Sequence, residues 1–356
     1  MNSIQRVLAA VTFGKGEYGA PDRVPVLPVP LMQGALVHEC SPAQYFQSDA
    51  DALATAQIRI NEMFDGIPDG VAGFPNVIED ISGFGVALKY DYPNSSPTAS
   101  RMLIRDFQEI DALRCPNPQD SADLSKTLEV ISLLKQRIGN EKLVIGACIA
   151  PFSLPSMLMG TAKWMRLLYT PELFERYFAR FIDVCTRFVT RWAQLQLQAG
   201  AHIVVLADGM ASATMLPRDR FERWALPVIR DVIARIDGLV AYEAVGHAQP
   251  IVDLLATSGA VALLVGESDD LRECKRAAGG RVALVGNVNN MKMRRWSPAR
   301  IELAAKAALT KAMNGYGFIL GNQGPEIPFD VSPEGIGALI RAVEKYGRYD
   351  VTELAA

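Results

Sequence analysis

Short, uninterrupted apolar runs recur along the chain and are separated by segments with helical spacing. Because the runs lack polar alternation, we interpret each as a parallel strand buried on both faces. Eight runs fit this description: VPVLPV (24–29), GVAGFPNVI (70–78), LVIGACIA (143–150), HIVVLA (202–207), LVAYEAV (239–245), AVALLVG (260–266), VALVGNV (282–288) and GFILGN (317–322). Eight strands that alternate with helices predict an α/β fold of the (β/α)8 barrel type.

The length of 356 residues is ordinary for a barrel that forms one domain. We therefore expect residues 1–356 to form a single barrel domain with an N-terminal extension. The long segment 79–142, which contains PNSSP and RCPNPQDSADLS, is interpreted as a helical and loop insertion after the second strand. Such an insertion could cover one mouth of the barrel.

Charge and composition narrow the classes of partner and compartment. The net charge of −3 gives no reason to expect binding to nucleic acid or to an anionic membrane. No apolar run approaches the roughly 18 residues that span a bilayer. The N-terminus lacks a secretory pattern, so we expect a cytoplasmic protein. The five cysteines are scattered and form no CxxC pair, which disfavours disulfides and a cysteine zinc cluster.

Polar residues collect where the predicted strands end. In a barrel of this type the chemistry lies at the carboxyl ends of the strands. These positions are Asn76, Glu79, Ser153, Asp208, Glu243, His247, Glu267, Asn287, Asn289, Asn322 and Gln323. Asp208 and Glu267 come from the strands on either side of Glu243 and His247, so we expect these four residues to converge on one mouth of the barrel. Part of the clustering is trivial, because strand ends are generally in contact with water.

Three of these residues are candidates for catalysis. Glu243 lies in an otherwise apolar run, where an unpaired buried carboxylate is costly, so we expect a functional or a paired role. Asp208 is a similar candidate. His247 is either a catalytic or ligating residue or a side chain that hydrogen-bonds the turn before Pro250. His38, after the first run, is a candidate substrate contact.

The order and spacing of several motifs resemble the uroporphyrinogen decarboxylase superfamily, in its cobalamin-dependent methyltransferase branch. The likeness extends over nearly the whole chain. It rests on QRVLAAVTFGKGEYGAPDRVPVLP, IGACIAPFSLPSMLMG, QAGAHIVVLADGMASATMLPRDRFERWALP, ALVGNVNN and FILGNQGPEIPFDVSPEGIGALIRAVEKYGRYD. The resemblance implies a (β/α)8 barrel that acts on a tetrapyrrole or on a methyl group.

Departures from the decarboxylase pattern argue against that activity. The arginine-rich stretch after the first strand is replaced by LMQGALVHE, which contains no arginine. Asn76 stands where the decarboxylases have an aspartate, Met157 falls near their tyrosine, and Gln323 falls at their late histidine. Uroporphyrinogen decarboxylation is therefore not expected.

The methyltransferase pattern is also altered. In that branch zinc is bound by a histidine and two cysteines, and here Glu243, Val245 and Gln323 fall at those positions. Without thiolates, the resemblance leaves a harder site, for which we consider Glu243, His247 and Glu267 as possible zinc ligands. General acid catalysis by Glu243 or His247 is the alternative.

The functional expectation is methyl transfer from a small methoxylated substrate to the cobalamin of a separate corrinoid protein. The chain lacks the DxHxxG cobalamin motif, so the partner would supply the corrinoid. Transfer to tetrahydrofolate or to a thiol such as coenzyme M remains open, as does a catalytically silent protein that binds a tetrapyrrole or a corrinoid protein. A homodimer is possible. The expected substrate-binding residues are Asn76, His38, Met157, Asn322 and Gln323.

Overall fold

A computed structural model describes residues 1–349. Within this range the strands are β1 Gly70–Ala72, β2 Leu88–Lys89, β3 Thr98–Ala99, β4 Leu143–Ile149, β5 Ile203–Asp208, β6 Leu239–Ala244, β7 Ala262–Leu264, β8 Ala283–Val288 and β9 Phe318–Asn322. The α-helices are α1 Ser3–Val11, α2 Gly34–Val37, α3 Pro42–Phe46, α4 Ala50–Met63, α5 Glu109–Ala112, α6 Ala122–Arg137, α7 Leu154–Met159, α8 Thr161–Tyr169, α9 Pro171–Ala199, α10 Arg218–Arg220, α11 Leu226–Arg235, α12 Val252–Leu255, α13 Leu271–Ala278, α14 Asn290–Met293, α15 Pro298–Ala312 and α16 Pro333–Tyr346.

A curled parallel sheet forms the centre of the molecule. Its seven strands follow the order β1-β4-β5-β6-β7-β8-β9, and helices connect most of them. This arrangement confirms the predicted α/β barrel. Six of the predicted runs match β4 to β9 to within about two residues at each end, because buried parallel strands carry the continuous apolar signal on which the prediction was based.

Residues 24–29 lie between β9 and β1, where an eighth strand would close the barrel, but they do not form a regular strand. Val26 bridges Leu320 of β9 in parallel, and its carbonyl accepts a hydrogen bond from the Asp69 amide next to β1. Prolines 25, 28 and 30 cannot donate backbone hydrogen bonds, which limits the ladder. The run predicted over 70–78 is a strand only over Gly70–Ala72 for a related reason, since Pro75 follows closely.

The register of the sheet determines which side chains point into the barrel. Hydrogen-bonded pairing places one row of inward residues side by side on consecutive strands: Ile149, Ala207, Glu243, Leu264, Val285 and Ile319. Neighbouring residues on each strand point outward to the helices, since side chains alternate across a strand. Asp208 and Tyr242 belong to this outward set.

Helix α1 closes the amino-terminal end of the barrel. Its residues Val7 and Ala10 pack in the same apolar cluster as the inward residues of β4 to β9. Arg6 anchors the helix through ion pairs with the fully buried Asp69, at 2.5 Å, and with Asp22.

The insertion after β1 contains the β2–β3 hairpin, α5 and α6. The Ser96 hydroxyl in the hairpin loop donates a hydrogen bond of 2.6 Å to Glu326, which follows β9, so the insertion reaches the carboxyl-terminal end of the barrel. Helix α9 buries Phe181, Phe188 and Trp192 against the barrel. In the described range 1–349, the structure has no helix of sufficient length and apolarity to cross a bilayer.

Candidate active site

Glu243 occupies the centre of the candidate site. It lies near the carboxyl end of β6, and the pairing of Ala207 with Glu243 and of Glu243 with Leu264 fixes it in the inward row. Glu243 lines both the apolar interior of the barrel and a second cavity at the carboxyl-terminal mouth. The side chain therefore lies at the boundary between these two spaces.

The environment of Glu243 favours its protonated form. The residue is only 4% exposed, and within residues 1–349 no group donates a hydrogen bond to its carboxyl or neutralises its charge. Burial raises the pKa of Glu243 to about 7, because removal from water penalises the charged form. Such a carboxyl can hold or release a proton near neutral pH.

The mouth cavity encloses about 260 Å³, and its lining is polar and apolar in nearly equal parts. The loops that follow β5 to β9 build it, as expected for the active end of a barrel. The residues in its lining with polar or ionisable side chains are Thr214, Glu243, His247, Glu267, Ser268, Asn289 and Gln323. Glu243, His247 and Glu267 all belong to this lining, whereas Asp208 does not.

His247 is held by a carboxylate that the sequence analysis did not single out. Its Nδ1 lies 2.5 Å from Oδ1 of Asp269, which is fully buried, while the imidazole side chain is 39% exposed. Asp269 also accepts hydrogen bonds from the backbone amides of Ala248, Gln249 and Gly266. These contacts hold the imidazole ring with Nδ1 against the Asp269 carboxyl, so Nε2 is the ring nitrogen that Asp269 does not engage.

The sequence offers a weak signal for Asp269. It lies in GESDD, directly after the run 260–266, and three acidic residues there are equivalent from the sequence alone. The structure separates them, because Asp269 is buried under the His247 loop whereas Asp270 caps α13 by accepting from its first amides.

Glu267 does not join Glu243 and His247 as a metal ligand. Both of its carboxylate oxygens lie 2.8 Å from Nζ of Lys292, and Asn289 donates a further hydrogen bond. Among the described residues, no group of three or more His, Cys, Asp and Glu side chains is arranged to hold a metal ion. The predicted zinc ligands Glu243, His247 and Glu267 therefore do not fit that ion.

Asp208 is buried outside the mouth cavity. It is one residue beyond the inward Ala207, so it faces the helices, where the Ser153 hydroxyl donates to it at 2.5 Å and the Ala211 amide at 2.9 Å. Burial raises its pKa to about 6. The predicted meeting of Asp208 with Glu243 in one pocket is wrong, because adjacent residues of a strand point to opposite faces.

The predicted substrate-binding residues divide into two groups. Asn76 lines the interior cavity, and Gln323 lines the mouth, where its Oε1 accepts the Glu267 amide at 2.6 Å. The other three lie elsewhere. Asn322 is occupied by the backbone of Val29 and of its own loop, His38 is exposed and bonds the Ala52 carbonyl, and Met157 packs in α7 against the core.

A second buried carboxyl was not identified from the sequence. Asp80 lines the interior cavity and accepts hydrogen bonds from the Ile149 amide and the Trp192 indole. Burial raises its pKa to about 7. Because both of its oxygens have donors, Asp80 is a structural link between α9 and β4, unlike the unpaired Glu243.

The fold and this site define a (β/α)8-barrel protein with a cavity of small-molecule size at the carboxyl ends of its strands. The family model described as uroporphyrinogen decarboxylase (URO-D) matches residues 7–346. The chain belongs to this family, which confirms the family prediction.

Its similar curated relatives carry two kinds of name. Methylcobamide:CoM methyltransferase MtbA from Methanosarcina mazei is 24% identical over 64% of this chain and 66% of its own length. Methylcobamide:CoM methyltransferase MtaA from Methanosarcina barkeri is 26% identical, and the match spans only 46% of this chain and 48% of that protein. Uroporphyrinogen decarboxylase from Idiomarina loihiensis is 26% identical over 68% of this chain and 69% of its own length.

A solved structure of a methyltransferase from Methanosarcina mazei superposes with a TM-score of 0.83 at 19% identity, covering 97% of this chain and 99% of that one. At this identity the match establishes the fold alone. The agreement extends over both the barrel and the insertion, since nearly all of each chain is included.

Proposed function

We propose that this protein transfers a methyl group from a small methoxylated substrate to the cobalamin of a separate corrinoid protein. One observation carries the proposal: Glu243 is a buried, unpaired carboxyl at the boundary of the mouth cavity, and burial raises its pKa to about 7. A protonated carboxyl in this position is suited to donate a proton to a substrate oxygen.

Cleavage of a methyl ether requires such a donor, because an alkoxide or phenoxide is a poor leaving group. As the bond between the methyl carbon and oxygen breaks, the bonding electron pair stays on oxygen. The carboxyl of Glu243 gives its proton to that oxygen and releases a neutral alcohol or phenol. The corrinoid of the carrier protein is a substrate of this reaction; in its reduced cob(I)alamin form it would supply the electron pair of the new bond to the methyl group.

The mouth is suited to a carrier-bound acceptor. Its cavity of about 260 Å³ would hold a small methyl donor, while the half-exposed His247 and Glu267 leave the site accessible from solvent. We assign to His247, which Asp269 orients, the role of returning a proton to Glu243 after each turnover. The corrinoid protein is the partner that this mechanism requires.

The names of the relatives support methyl transfer, and the residues of this chain favour an ether as the donor. At the two positions where the methyltransferase pattern has zinc-binding cysteines, this chain has Val245 and Gln323. Uroporphyrinogen carries several carboxylates, yet neither cavity is lined by an arginine or lysine from the described residues. For this reason we do not propose decarboxylation.

Transfer in the other direction, from methylcobalamin to a thiol, is the second candidate. The names of the two Methanosarcina relatives favour it. It differs experimentally, because it consumes methylcobalamin whereas ether demethylation produces it.

The test incubates purified protein with free cob(I)alamin and a panel of phenyl methyl ethers, and follows methylcobalamin by absorbance. We expect formation with the wild type and a loss of at least about 100-fold in Glu243→Gln, in the usual range for a general acid. Glu79→Gln is the matched control, since Glu79 is equally buried, has a raised pKa and lies outside both cavities. If no ether yields methylcobalamin, and if added methylcobalamin is consumed in the presence of a thiol, the second candidate is selected.

A further inference from the structure

The inward side chains directly below Glu243 in the barrel are unusually small. The next inward row consists of Ala147, Val205, Ala241, Ala262 and Ala283, which pair in sequence across β4 to β8. Four of these five residues are alanine. Barrel interiors are normally filled by bulky branched residues, so this row leaves space where a core would otherwise be closed.

That space is a cavity rather than a packed core. It encloses about 100 Å³, and among its lining residues are Ala147, Ala207, Ala241 and Ala262. Glu243, Leu264 and Gly324 line both this cavity and the mouth cavity, so the two spaces adjoin at these residues. A dry apolar cavity of about 150 Å³ binds benzene. At about two thirds of that volume, this space takes a short alkyl group or one edge of a ring, and the rest of the ligand lies in the adjoining mouth cavity.

The charge of the lining selects the chemistry of the occupant. No lysine or arginine from residues 1–349 lines the interior cavity, and its acidic members are Asp80 and Glu243. An anionic group placed there would lose its hydration without gaining a partner and would be repelled by any ionised carboxylate. The occupant is therefore uncharged and apolar.

We propose that the alanine-lined interior binds the uncharged ring or short alkyl portion of the methyl donor and places its ether oxygen beside the Glu243 carboxyl. This inference rests on the proposed function for the identity of the ligand as an ether. It adds that donors carrying a carboxylate on the ring are poor ligands of this site.

The experiment measures binding without any corrinoid. The full-length protein is titrated into 4-fluoroanisole, and the ¹⁹F linewidth reports the bound fraction; 4-methoxybenzoate is then tested as a competitor. Ala241→Leu fills the space below Glu243, and Ala262→Val fills it with a smaller change if the leucine variant does not fold. Ala307→Leu, on the exposed side of α15, is the control.

We expect 4-fluoroanisole to bind the wild type and the Ala307→Leu control equally. Filling the cavity should weaken binding at least tenfold, and 4-methoxybenzoate should compete at least tenfold less well than anisole. Equal binding by wild type and both filled variants, or stronger competition by the benzoate, overturns the inference. Ring binding without methyl transfer would contradict the proposed function but support the interior binding site. Methyl transfer that the filled variants do not affect would support the proposed function but contradict the interior binding site.

Discussion

Replacement of Glu243 by glutamine should stabilise the protein in a pH-dependent way. The pKa of this carboxyl is raised from 4.5 to about 7 by burial, so the folded state holds the proton more tightly than the unfolded chain does. Wild-type stability therefore falls as pH rises through this interval, and the loss is complete above pH 7. Each pH unit of the interval corresponds to about 1.4 kcal/mol, which gives a full effect of about 3 kcal/mol.

Glutamine has nearly the same shape and does not titrate, so the variant lacks this loss. We expect the free energy of unfolding of Glu243→Gln, relative to wild type, to rise by about 3 kcal/mol between about pH 4 and about pH 8.5. Urea unfolding followed by circular dichroism at each pH measures this difference. Other titrating groups are shared by both proteins and cancel.

Glu267→Gln serves as the control of opposite sign. Lys292 holds the pKa of Glu267 below its usual range, so its ionised form stabilises the fold and the variant should lose stability, relative to wild type, as pH rises through the acidic range. A stability difference for Glu243→Gln that stays constant across the pH range would mean that Glu243 is no harder to ionise in the folded protein than in the unfolded chain.

Two further substitutions test neighbouring groups. Asp269→Asn should destabilise the protein by about 2 kcal/mol in urea unfolding, since it weakens the charge-assisted bonds from His247 and three backbone amides; a variant as stable as wild type would show that this carboxylate does not organise the loop. Tyr242→Phe should lower the free energy of unfolding by about 1 kcal/mol, because the buried Tyr242 hydroxyl lies against the equally buried Asp208 carboxyl and its loss removes a hydrogen-bond donor to that group. A variant as stable as wild type would show that the two groups do not pair.

The sequence predicts the barrel well because continuous apolar runs report burial on both faces. It predicts less well at the edges. The segment 24–29 reads as a strand from its valines and leucine, but its prolines restrict it to a single bridge and a few hydrogen bonds.

Within the site, the sequence identifies Glu243 because a carboxyl in an apolar run is costly to bury without a role. It does not separate Asp208 from Glu243, because continuous apolar strands carry no alternation that reveals which residues point inward. Their one-residue offset in register, Ala207 opposite Glu243, decides the matter only in the folded sheet. Asp269 lies in a loop whose path depends on tertiary contacts with the His247 turn.

If protonated Glu243 is the acid that cleaves the ether, the pH dependence of a single turnover from phenyl methyl ether to cob(I)alamin reports its ionisation. We expect a rate that falls as pH rises, with a midpoint near the pKa of about 7, and a slow rate without this midpoint in Glu243→Gln. A rate that rises with pH, or one that is the same in both proteins, would contradict this role of Glu243.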